Sequence, residues 1–177
     1  MDATHLHLIL THFPIVGTII GVGILAYGQF SKNNGIIKVA LITFILMAIF
    51  TIPVFLTGEE SEETVEHIAG VSERLIGDHE ELAEKAIFLM GLLAALSAIS
   101  FFAIMKKLSF ARTITLVTLI VSLVTFGVFA QVGNLGGQIR HSEIRTNNPN
   151  EINKQVETEK GLFEKKGKKH DDDDDDD

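Results

Sequence analysis

The chain has 177 residues, a formal charge of −8, 46% hydrophobic residues and no cysteine. Without cysteine there are no disulfides, thiolate metal sites, iron–sulfur clusters or thioether-linked haem, so any metal chemistry rests on imidazole, carboxylate or thioether. Terminal aspartates and one acidic loop supply most of the negative charge, and no basic patch interleaved with aromatics exists, which leaves nucleic acid out as a partner.

Charge is distributed very unevenly. Four stretches are almost free of it: Ala3 to Ser31 (if the histidines are neutral), Val39 to Gly58, Ala86 to Met105 and Thr113 to Ile139. A hydrocarbon layer about 30 Å thick takes about 20 apolar residues as helix. The pattern predicts an all-α, four-helix transmembrane bundle with spans over about 8–30, 36–57, 84–105 and 113–135. Residues 1–146 make the bundle and 147–177 a charged tail.

The first span opens with His5, His7 and His12, a high density of imidazole at the mouth of an apolar helix. Its start, MDATHLH, has no basic n-region and no small-residue cleavage site follows, so it reads as an uncleaved span. Pro14 either opens the main helix or kinks a longer one and frees the Leu10 carbonyl. His5 and His12 share a helical face, whereas His7 points elsewhere. Gly17, Gly21 and Gly28 are spaced for close approach of another helix. Pro53 kinks or thins the second helix near its far end.

The following loop carries SEETVEHIAGVSERLIG, whose Val65, Ile68, Val71, Leu75 and Ile76 recur at helical spacing. This predicts an outer amphipathic helix lying on the membrane surface, with its glutamates as a solvated face and His67 on the polar side. In GDHEELAEKAIFLM, Asp78 can cap the third helix, with Glu81 completing a capping-box-like pair. His79 falls in line with Leu82, Ala83, Ala86 and Met90, the stripe facing the bundle. There the positive end of the helix dipole favours the neutral ring that a metal requires. The fourth helix closes in QVGNLGGQIRHSEIR, where Gly136-Gly137 predicts a stop that turns His141 back over the bundle mouth. From Asn147 the chain is polar and charge-segregated and reads as a disordered tail, His170 included.

The first and third loops hold Lys32, Lys38, Lys106, Lys107 and Arg112 and no acid, while the second holds ten acids against Arg74 and Lys85. The positive-inside bias places the basic loops in the cytoplasm and both termini in the periplasm of a bacterial inner membrane; Arg140 and Arg145 argue the other way but are outvoted. Every histidine except His170 then converges on the outer face, beside Glu59, Glu60, Glu63, Glu80 and Glu81.

HLILTHFPI (His7 to Ile15), TGEE (Thr57 to Glu60), DHEELA (Asp78 to Ala83) and LGGQIRH (Leu135 to His141) together resemble an uncharacterised bacterial family of four-helix membrane proteins with a His-Phe-Pro-Ile signature. The likeness covers residues 5–141. It implies that His7, His12, His79 and His141 occupy the family's recurrent positions, although the family's proline after the first histidine is Leu8 here. Members occur with c-type cytochrome or Rieske-type domains, which implies a redox setting.

Three functions fit these residues. The first is a haem b near the periplasmic face, bound by His12 and His79 with His141 and then His7 as further ligands, passing electrons laterally or from quinol to an outer acceptor such as cytochrome c. Transfer across the membrane is not expected, because no histidine lies at the inner end. The second is a Zn, Cu or Fe ion held by His12, His79 and His141 with Glu59 or Glu80 completing the shell. Thr18, Thr43, Ser97, Thr118 and Thr125 form no obvious ion path through the helices. The third is a structural subunit of a larger membrane complex. No nucleophile motif supports a hydrolase, so an electron-transfer or complex subunit is expected rather than a stand-alone enzyme. Its partners would be the lipid bilayer, a respiratory complex or cytochrome c, and a second copy of the chain.

Overall fold

Pro14 decides how the chain enters the bundle. It has no N–H to give the Leu10 carbonyl, and the helix breaks at Thr11, whose own N–H still reaches the His7 carbonyl at 2.9 Å. The computed structural model describes residues 3–66, 71–141 and 144–145. It places α1 at Ala3–Leu10, α2 at His12–Phe30, α3 at Asn34–Glu66, α4 at Glu73–Met105 and α5 at Ala111–Arg140. Together α1 and α2 make one kinked span, with α1 laid against α3. His67, His170 and the tail from residue 146 lie outside the described residues.

Among the described residues four spans are long and apolar enough to cross a membrane, so this is a multi-pass membrane protein in a lipid bilayer. Their outward faces carry Ile20, Ile49, Phe88, Ile120 and Leu123, all more than half exposed. In water such a surface would be an association liability; against acyl chains it is the solvated face.

The helices run further than the apolar stretches. α3 continues through Pro53, and α3 and α4 have 33 residues each, about 50 Å at the α-helical rise. The segment expected to form a separate surface helix is divided: its start completes α3, its end begins α4, and residues 67–70 lie outside the described residues. Asp78 is consequently inside α4 rather than capping it. It pairs with Arg74 at 3.6 Å, Glu81 pairs with Lys85 at 2.6 Å, and Ser72 holds the N-cap position without a side-chain cap bond. Gly136-Gly137 does not stop α5, which runs to Arg140.

Inside, each span packs on two neighbours, in the ring α2, α3, α4, α5. Gly17, Gly21 and Gly28 lie against Met47, Phe44 and Ile37 of α3, the close approach that their spacing predicts. Phe44, Leu25, Leu41 and Leu93 are completely buried.

The ring is built from two copies of one hairpin. In α2 the buried positions Pro14, Thr18, Gly21, Leu25 and Gly28 repeat in α4, with identical spacing, as Ala86, Met90, Leu93, Ser97 and Ser100. In α3, buried Ile37, Ala40, Phe44 and Thr51 repeat in α5 as Thr115, Thr118, Ser122 and Phe129. Even the turns match. Lys32 and Lys107 both have φ 52°, in the left-handed position that glycine usually takes at a helix C-terminus. Around each, the next residue's N–H closes on the helix: Asn33 on Gly28 O at 3.0 Å and Leu108 on Ala103 O at 2.9 Å. The copies differ inside, where the second puts hydroxyls at apolar positions of the first. Most of these hydroxyls bond to carbonyls of their own helix, as Thr118 does to Ile114 O at 2.8 Å, while Ser100 and Thr118 also meet each other at 2.9 Å.

Candidate functional site

The heptad that places Pro14, Gly21 and Gly28 inside the bundle reaches back to His7, and the matching heptad Ala86, Leu93, Ser100 reaches back to His79. Both histidines are part-buried at the end of the bundle away from the lysine turns. His7 Nδ1 lies 2.9 Å from Val54 O of α3, and His79 Nδ1 lies 3.1 Å from Val132 O of α5. A carbonyl can only accept, so each Nδ1 carries the proton and donates it. Each Nε2 is then a lone-pair donor, and neither makes a hydrogen bond among the described residues.

Glycine repeats with the histidines. One helical turn beyond Val54 is Gly58, and one turn beyond Val132 is Gly136. A Cβ at Gly58 would stand 3.1 Å from His7 Cε1, and one at Gly136 would stand 3.1 Å from His79 Cε1. Each ring therefore rests on bare backbone, fixed at one nitrogen by a carbonyl of the opposing helix. His7 and His79 hold equivalent heptad positions in the two hairpins, so both lie at the same end of the bundle. From Ile37 to Val54 and from Thr115 to Val132, α3 and α5 each rise about 25 Å, which sets the pair near the membrane boundary opposite the lysine turns.

The other expected ligands lie apart from this pair. His12 is exposed, with Nδ1 2.9 Å from Leu8 O of the preceding turn. His5 and His12 do share a face, but the same face carries Ile19 and Ala26, and it points out of the bundle. His141 is exposed at the end of α5, its backbone N–H on Gly137 O at 2.9 Å. Glu59, Glu60, Glu80 and Glu81 are exposed as well. Among the described residues no three or more histidines, aspartates or glutamates come together in a group that could hold a metal ion.

Val54, Val132 and Gly58 carried no expectation from sequence, and Gly136 was expected only as part of a helix stop. The detectable signal was Val-x-x-x-Gly occurring twice, once in the second helix of each hairpin, as VFLTG and VGNLG. No protein-family model, curated protein or solved structure matches the chain.

Proposed function

We propose that the protein binds a haem b between its two hairpins, which His7 and His79 would hold, at the periplasmic face of a bacterial inner membrane. The observation that carries this proposal is the repeated device. Two equivalent histidines each fix Nδ1–H on a carbonyl, the outer-shell bond that sets tautomer and ring orientation in a metal-ligating histidine. Each keeps Nε2 available, and each sits on a glycine.

The donor set fits a haem better than a bare ion. Porphyrin supplies four nitrogens, so two protein ligands suffice, whereas a zinc or copper site takes three or four from the chain. Haem held by two histidines supplies reversible one-electron transfer. The chain's own part is to hold the ligands at matched depth, to wall the site with apolar helix and to keep water from it. The basic turns favour a cytoplasmic position for the far end, which leaves the histidine pair facing outward. With no histidine at the lysine end, electrons would move laterally, or from quinol to an outer acceptor such as cytochrome c. The resemblance to the His-Phe-Pro-Ile family supports the same redox setting.

One observation favours a second function. The carbonyl bonds of His7 and His79 each tie together two helices of one hairpin, which would also serve a purely structural subunit. Pyridine haemochrome analysis of the purified protein separates the two. Haem binding predicts about one haem per chain in the wild type and in His12→Ala, and loss of it when His7→Ala and His79→Ala are combined. A wild type without haem, destabilised by His7→Ala, would establish the clamp instead.

A further inference from the structure

The opposite end of the bundle has a cavity of its own, of about 340 Å³, between the two hairpin turns. Its lining includes Lys32 from the first turn and Lys107 and Arg112 from the second, with Gln29, Asn34 and Ser109, and no aspartate or glutamate among the described residues. Its inner wall is tied together across the bundle, because Gln29 Nε2 donates to Thr115 Oγ1 at 2.7 Å and Thr115 is almost completely buried. Three cations with no neutralising acid in the lining make a site for an anion.

The two lysines are held there at a conformational cost. Both occupy left-handed backbone positions in which glycine would close the same turn without strain. A side chain kept at such a position twice, and twice cationic, is explained by what the side chain does. Lys38 and Lys106 serve as internal contrasts, since they belong to the same basic end but not to the cavity lining. Lys106 instead lies over the Phe102 ring, its Nζ 5.8 Å from the centroid.

The surroundings select the kind of anion. α2 and α4 leave the apolar layer here, and Phe30 is 88% exposed beside Lys32, with Tyr27, Phe102 and Phe110 also exposed. An amphipathic ring such as Tyr27 favours the headgroup level, and the exposed Phe30, Phe102 and Phe110 favour acyl chains. A ligand with a phosphate in the cavity and acyl chains on the adjoining helix face meets both environments. We propose that this cavity binds the phosphate headgroup of an anionic phospholipid, seated between Lys32, Lys107 and Arg112. This is independent of any cofactor at the histidine end.

Native mass spectrometry of the full-length protein, released from micelles containing phosphatidylglycerol or phosphatidylcholine, tests it. The expected result is one retained phosphatidylglycerol and no retained phosphatidylcholine. Lys32→Gly with Lys107→Gly removes both cations while suiting the backbone, so the variant folds and its phosphatidylglycerol affinity falls by about tenfold or more. Lys38→Gln with Lys106→Gln leaves affinity within about twofold. Equal losses in the two double variants would overturn the proposal in favour of general surface charge. Displacement of the lipid by millimolar inorganic phosphate would overturn the lipid source and leave a soluble-anion site.

Discussion

Gly136→Ala probes whether the His79 ring is seated as described. The added methyl would meet Cε1 at 3.1 Å, tighter than ordinary van der Waals contact, and Nδ1 at 3.5 Å, within its range. The ring cannot swing away without lengthening its bond to Val132 O. Gly127, in the same helix, has nothing within 4 Å of the equivalent position, so it supplies the reference. Alanine in place of glycine in a helix interior stabilises by about 1 kcal/mol. Forcing a methyl into filled space costs about 1–3 kcal/mol. Gly127→Ala should therefore gain about 1 kcal/mol, while Gly136→Ala should range from about neutral to about 2 kcal/mol destabilising. At about 2–4 °C per kcal/mol for a chain of this size, thermal unfolding in detergent resolves the difference. The reasoning is refuted if Gly136→Ala raises the Tm as far as Gly127→Ala does.

Phe44→Ala, at a completely buried position against Gly21, should cost about 3–5 kcal/mol, read as a lowered Tm in the same assay. His12→Ala should move stability by about 0.5 kcal/mol or less, because the ring is exposed and bonded to the carbonyl of the preceding turn, Leu8 O. Ser100→Ala, which removes the contact with Thr118, should cost about 0.6 kcal/mol, the mean for hydrogen bonds between membrane helices. A fluorescent reporter active only in the cytoplasm should be dark when fused after Arg145 and bright when inserted between Lys107 and Leu108; the reverse pattern would invert the topology.

The spans were legible because a bilayer imposes a simple rule of length and hydropathy, which Val39 to Gly58 obeys without exception. Helix ends were less so. α3 and α4 continue into charged sequence, where hydropathy falls but backbone hydrogen bonding does not, so Asp78 looked like a cap and is mid-helix. Gly136 and Gly137 read as a terminator on propensity alone. Their helical state carries a different use of glycine, since removing Cβ at Gly136 makes room for an imidazole from α4. The choice between His7 and His12 turned on helical phase. Pairing His12 with His5 correctly identified a common face, but only the run Pro14, Thr18, Gly21, Leu25 tells which face is inside, and it selects His7. His79 was legible because its inward stripe, Ala86 and Met90, lies within the same helix. What sequence could not supply was the acceptor of each ring, because Val54 and Val132 are ordinary core residues until a histidine from another helix reaches them.

Whether His7 and His79 ligate the same group is decided by low-temperature electron paramagnetic resonance of the purified, oxidised protein. A haem held by both histidines predicts a low-spin signal in the wild type and in His12→Ala. It predicts high-spin signals in His7→Ala and in His79→Ala, each returning to low spin when imidazole is added to fill the vacated position. Low-spin signals that persist in both single variants without imidazole would contradict the account, because the ligands would then lie elsewhere.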